Sequence, residues 1–238
     1  MIPKFDLKNG IDISIPYRTE KEATSAWYVG PMVISPVEMG DWIGSVVKGS
    51  SVNFRDLTLN PHGNGTHTEC VGHIAPEVHS VNQLLKRWFF DARLVSITPT
   101  QRDGDAVITL QQLQASLQDD CAEAVIIRTL PNSDEKLFTN YSNTNPTYME
   151  AEAAAWLREQ GVMHLLIDLP SVDREEDGGA LAAHKAFWNY PEAPRMEATI
   201  TELIYVPSGV EDGQYLLNLQ VAPIENDASP SRPVLYSV

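Results

Sequence analysis

The sequence predicts an α/β fold rich in β structure, and three observations carry the prediction. A helix signal is twice followed by a continuous apolar strand, LQQLQASLQ before AEAVIIRT and EAEAAAWLREQ before VMHLLIDLP. The C-terminal part reads as strands, TELIYVP and QYLLNLQVAPI around a GVEDG turn and then a closing VLYSV. No internal repeat, low-complexity tract or long linker divides the chain, so residues 1–238 are read as a single domain.

Each element has its own local cause. IDISI, WYVGPMVI and DWIGSVV are short apolar pieces cut by Pro and Gly, which predicts strands and long loops over residues 1–60. Ser80-Val-Asn-Gln83 has capping-box form and leads into QLLKRWFF, whose apolar positions suit a short helix; ARLVSI, Ala92 to Ile97, follows as a strand. Thr109-Leu-Gln-Gln112 is a second capping box and opens LQQLQASLQ. Thr147-Tyr-Met-Glu150 is a third; it opens an alanine-rich helix that Gly161 stops at the C′ position, and the strand after it ends in Asp168. AAHKAFW, which contains His184, reads as a helix, and Glu202 as the start of a strand.

Lys and Arg total 17 against 32 Asp and Glu, a formal charge of −15. Phosphate backbones and anionic lipid both call for clustered cations, so nucleic acid and membrane surfaces are excluded as partners. No apolar run approaches the roughly eighteen residues that cross a bilayer, and the N-terminal stretch lacks the apolar core of a secretory signal. The expected setting is cytoplasmic. Cys70 and Cys121 cannot build a disulfide framework or a thiolate zinc knuckle and read as small buried hydrophobes.

The chemistry concentrates in NPHGNGTHTECVGH, Asn60 to His73. Of six histidines in the chain, His62, His67, His73 and His79 crowd together. Imidazole and carboxylate are donors that zinc and similar divalent ions favour, and they recur here at His62, His67 and Glu69. In extended backbone, His67, Glu69 and His73 share a face, and Gly63 and Gly65 permit a turn or bulge that brings His62 to it. His79 lies beyond the Pro76 turn and is set aside. The spacing contains no H-E-x-x-H, no C-x-x-C pair and no EF-hand loop. A polar loop of hydrogen-bonded histidines is the competing reading.

The same segment resembles a family. Gly65-Thr66-His67-Thr68-Glu69-Cys70-Val71-Gly72-His73, with His62 before it, is similar to the signature of the cyclase family of metal-dependent hydrolases: a His, then Gly-Thr-His, then x-Asp-x-Pro-x-His. LIDLPSVD, Leu166 to Asp173, resembles the family's I-D-x-P-S-x-D segment; Ala183-His184 and Thr201-Glu202 resemble its second ligand pair, and IDISIPY its opening. The chain departs from the pattern in carrying Glu69 for Asp and Val71 for Pro, and in placing His62 five residues before His67 rather than four.

The resemblance implies a single domain of the swivelling β/β/α type with a mixed central sheet. It also implies one ion on His62, His67 and Glu69, a second on Glu69, His184 and Glu202, and His73 as the acid/base. The cofactor is then a divalent metal, zinc or manganese, with one or two ions per chain. The activity implied is hydrolysis of a non-peptide amide C–N bond of the aryl formamide or cyclic amide type in a small-molecule substrate, by a homodimer or higher homo-oligomer. A non-catalytic metal- or ligand-binding protein on the same scaffold is the alternative. Arg128 and Lys185 are candidate cations for a substrate pocket, and Asp168 and Asp173 are read as shaping the turn after their strand.

Overall fold

The computed structural model describes residues 7–21, 23–118 and 121–237. Among them, nine strands share one sheet: Ile11–Asp12 (β1), His67–Glu69 (β2), Phe89–Ile97 (β3), Ala124–Thr129 (β4), His164–Ile167 (β5), Thr199–Glu202 (β6), Gly213–Asn218 (β7), Ala228–Pro230 (β8) and Val234–Ser237 (β9). Their spatial order is β1-β9-β7-β3-β4-β5-β6-β2-β8. Strands β3 to β6 are parallel neighbours, and every other pairing is antiparallel, so the sheet is mixed, as the family resemblance implies. The parallel strands are the apolar runs AVIIRT and HLLI with their neighbours, which suits strands covered on both faces.

The helices are Pro61–Asn64 (α1), Val81–Leu84 (α2), Leu110–Leu117 (α3), Ala151–Glu159 (α4) and Ala182–Trp188 (α5). One face of the sheet, with Ile97, Val125, Ile127, Leu165, Ile167 and Ile200, packs on Leu113, Leu157, Phe187 and Trp188 of the helical layer. The opposite face, with Leu94, Ile126 and Leu166, is covered by Ile13, Ile204, Leu217 and Leu235, so the antiparallel flank curls over it. No helix among the described residues is long and apolar enough to cross a membrane.

Several local expectations change. The QLLKRWFF helix shrinks to the single turn α2: Ser80 makes no capping hydrogen bond, Leu85 is already extended, and Phe89 and Phe90 open β3. Burial decides this, because the alternating pattern of FFDAR places Phe90 and Ala92 in the core. The Thr109 capping box forms with both of its hydrogen bonds. The Thr147 box does not. Tyr148–Met149 pairs with Asp105–Ile108 as a strand, and the Glu150 carboxylate accepts from the Leu110 N–H and from Arg102 instead. Trp27 and Tyr28 have φ of 58° and 60°, which breaks the predicted WYVGPMVI strand down to Val33–Pro36. That strand pairs with Arg55–Thr58, outside the main sheet, and DWIGSVV supplies only Trp42–Ile43 and a 3₁₀ turn. Glu202 ends its strand rather than starting it.

Candidate metal centre

The centre grows from the register of β2 between β6 and β8. Glu202 lies opposite His67 and Ile200 opposite Glu69. Since side chains alternate along a strand, His67, Glu69 and Glu202 share one face, while Thr68 and Thr201 point to the other and join hydroxyls at 2.8 Å. Ile200 belongs to the helical side of the core, so the three groups face α5.

Three further pieces close around them. His62 arrives on α1, a helical turn and not a bulge, started by Pro61 and capped by Asn60, whose side chain accepts from the Gly63 N–H at 3.2 Å. A side chain on Gly63 would sit 2.4 Å from Val29 Cγ2, so this turn can lie against the Ala26–Val29 segment only with glycine there. His73 arrives on the 3₁₀ turn Val71–His73. His184 arrives on α5, where the fully buried Phe187 and Trp188 fix the helix rotation and His184 packs on Trp188 one turn later, 5.4 Å between ring centres.

All six residues expected at the site meet there. Glu69 is the hub: its Oε2 lies 3.1 Å from His62 Nδ1, 3.8 Å from His73 Nδ1 and 4.0 Å from His67 Nε2, and its Oε1 lies 3.0 Å from His184 Nε2. Glu202 stands 3.4 Å from His67 Nε2 and 3.7 Å from His184 Nε2. His67, Glu69, His184 and Glu202 are buried, whereas the His73 side chain keeps 30% of its surface and His62 20%.

The backbone and two acids orient these groups. His67 Nδ1 faces the Gly65 carbonyl at 3.1 Å, which turns Nε2 toward the carboxylates. Asp173 lies 2.6 Å from His184 Nδ1 and also accepts the Ala183 and His184 N–H groups, so one carboxylate both caps α5 and aims its histidine at Glu69. Glu202 accepts the Val172 N–H at 3.0 Å.

The donor set fits a divalent cation. His67 Nε2 and Glu69 Oε2 are buried and make no hydrogen bond, although a buried polar atom without a partner is costly. A cation bonded to both satisfies them together. Two triads have donor atoms within 4.8 Å of one another: His62, Glu69 and His73, and His67, Glu69 and Glu202. Glu69 belongs to both triads, the register sets His67 beside Glu202, and His73 Nδ1 lies 3.8 Å from Glu69 Oε2. Electrostatics agree with a cation-seeking pocket. Burial alone would raise the Glu69 carboxyl, but His73, His184 and His62 together hold it well below the ordinary range. Burial would lower His62 and His184; Asp227 and Glu69 lift the first, and Asp173 and Glu69 the second, each to about 10.

One acid at the centre was not foreseen. Asp227 lies 3.0 Å from His62 Nε2 and 3.4 Å from His73 Nδ1, and nothing in its own stretch, ENDASP, carries a ligand spacing. Asp173 has the turn position expected of it and the orienting contact besides. Arg128 is spent on Asp212 and two backbone carbonyls, and Lys185 on the Ala180 carbonyl; Asp168 binds Thr129 and Lys136.

Comparison with known proteins sets this centre in a family. The chain is 28% identical over 187 residues to a kynurenine formamidase of Bacillus cytotoxicus, covering 78% of this chain and 80% of that one. It is 26% identical over 221 residues to a kynurenine formamidase of Bordetella petrii, covering 88% and 96%. The fold is shared with an isatin hydrolase solved with the product analogue thioisatinate, at a TM-score of 0.69 and 15% identity over 96% of this chain and 92% of that one. Residues 11–174, which include His62, His67, Glu69 and His73, match the Cyclase family model described as "Putative cyclase". On that match, which spans more than half of its length, the chain belongs to the Cyclase family.

Proposed function

We propose that the chain, acting as one domain over residues 1–238, is a metal-dependent hydrolase that cleaves a non-peptide amide C–N bond of the aryl formamide or cyclic amide type. The observation that carries this reading is that His67 Nε2 and Glu69 Oε2 are buried and make no hydrogen bond inside a ring of imidazoles and carboxylates. The names of the similar proteins, kynurenine formamidase and isatin hydrolase, point to the same class of bond. His62, His67, Glu69, His184 and Glu202 are the proposed ligands for one or two ions, zinc or manganese, both of which accept imidazole and carboxylate. When bound, such an ion supplies a Lewis acid that makes water more acidic and draws electron density from a carbonyl oxygen.

The protein's own groups supply the rest. His73 is the proposed acid/base, being the most exposed of the site's histidines and therefore open to substrate. It takes a proton from the attacking water and delivers it to the departing nitrogen as the C–N bond breaks, so no proton is gained or lost overall. Buried Glu69 and Glu202 hold fixed negative charge behind the reacting atoms, and the apolar packing of Trp188 beneath His184 keeps that side of the site dry.

A homodimer or higher homo-oligomer is part of the proposal. Val33, Ile34, Met39, Val46, Val47, Val52, Phe54 and Leu57 are all exposed on residues 33–57, a region built on two-stranded ribbons. Isolated two-stranded ribbons are marginal in water, and a second copy of the same surface under twofold symmetry would bury this one.

Metal quantification coupled to a hydrolysis screen over aryl formamides, cyclic imides and lactams tests the activity. Stoichiometric metal with chelator-sensitive turnover of at least one class is the expected result. Stoichiometric metal without turnover would make this a binding protein.

A further inference from the structure

We propose that Asp227 is a positioning residue that fixes the ring tautomers of both His62 and His73 through a single carboxylate oxygen, and so couples ion binding to proton transfer. This rests on the roles proposed above for the two histidines. Asp227 Oδ2 lies 3.0 Å from His62 Nε2 and 3.4 Å from His73 Nδ1, between rings whose centres are 4.4 Å apart. An ionised carboxylate only accepts hydrogen bonds, so each nitrogen that faces it carries the hydrogen. In the neutral ring that ion binding requires, His62 then keeps the lone pair of Nδ1, the atom 3.1 Å from Glu69, for the ion. His73 keeps the lone pair of Nε2 to take a proton from water. For His73 Nδ1 the competing acceptor, Glu69 Oε2, is farther away at 3.8 Å.

The sheet holds Asp227 in place. Its carbonyl accepts the Cys70 N–H at 3.0 Å, and the next residue, Ala228, is opposite Glu69 in the β8–β2 pairing. Asn226 is anchored on both sides, accepting from the Val81 N–H at 3.0 Å and donating its side chain to the Ala228 carbonyl at 2.9 Å. The same strand register that presents Glu69 to the ion therefore presents Asp227 to the two histidines.

The test uses the full-length zinc-loaded protein with Asp227→Asn and Asp227→Glu. An amide can turn its NH₂ toward a ring nitrogen and favour the opposite tautomer. Asp227→Asn is expected to lower zinc affinity, read by competition with a chromophoric chelator, about 10- to 100-fold. It is expected to lower kcat on an aryl formamide about 10²- to 10⁴-fold, with KM changed less than about threefold. Long-range ¹H–¹⁵N correlation should show His73 moving from the Nδ1–H to the Nε2–H form, and Asp227→Glu should recover part of kcat. An Asp227→Asn protein with wild-type kcat and unchanged histidine tautomers overturns the proposal. If wild-type zinc protein hydrolyses none of the substrates, the reading of function fails, while zinc affinity and the tautomer spectrum still decide the role of Asp227.

Discussion

At the residue scale, Glu69 ties the two sides of the centre together. One carboxylate reaches His62 through Oε2 and His184 through Oε1, at 3.1 and 3.0 Å. The additional residue between His62 and His67 is taken up by the α1 turn. A different histidine makes the clearest pH prediction. His164 on β5 is buried against Phe90 and Thr199, and burial first, then Arg87 and Arg195, hold it down at about 3. The unfolded chain binds that proton near the ordinary value of 6.5, so its contribution to stability is complete above 6.5 and is lost as the pH falls toward 3. Between pH 7.5 and 5, denaturant melts of the wild type should lose about 2 kcal/mol more than those of His164→Asn, which keeps a hydrogen-bonding group near Thr199 but no titration. Equal losses would place the acid sensitivity elsewhere. The residues that cluster at the centre were legible in the sequence because most of them crowd into one short stretch. Asp227 was not, because it meets His62 across 165 residues and only strand pairing makes them neighbours.

At the element scale, α5 shows one side chain serving fold and site together. Its N-cap, Leu181, is in the left-handed region and makes no side-chain cap; Asp173 accepts the Ala183 and His184 N–H groups in its place. Asp173→Ala should therefore cost about 1–2 kcal/mol in chelator-treated protein, read by denaturant unfolding. The same substitution should weaken zinc binding about 10- to 100-fold in chelator competition, because His184 loses its orienting partner. A loss of stability with unchanged zinc affinity would reduce Asp173 to a cap. Capping patterns were reliable only where nothing else claimed their groups. Thr109 forms its box, whereas Glu150, the acid of the Thr147 pattern, is taken by Arg102 and the Leu110 N–H. Likewise the helical pattern of QLLKRWFF gave way because burying Phe90 required a strand.

At the scale of the whole molecule, the α/β class was legible from two helix-and-strand units, since parallel strands buried on both faces leave continuous apolar runs. The curl of the antiparallel flank and the ribbons of residues 33–57 were not, because both depend on pairings between distant short segments. Val47, 96% exposed, and Leu57, 61% exposed, are the apolar positions best placed to test self-association. Val47→Glu with Leu57→Glu should lower the sedimentation coefficient to that of a monomer and leave the far-ultraviolet circular dichroism unchanged; an unchanged coefficient would remove the ribbon from the interface. The central claim, that a buried His–Glu centre holds an ion beside an exposed proton carrier, is tested most directly by measuring metal content and aryl formamide turnover on the same preparations of His67→Ala and His73→Ala. His67→Ala should lose metal and turnover together, and His73→Ala should keep its metal while kcat falls about 10²- to 10⁴-fold. Full turnover in His73→Ala, or stoichiometric metal retained in His67→Ala at wild-type affinity, would contradict the account.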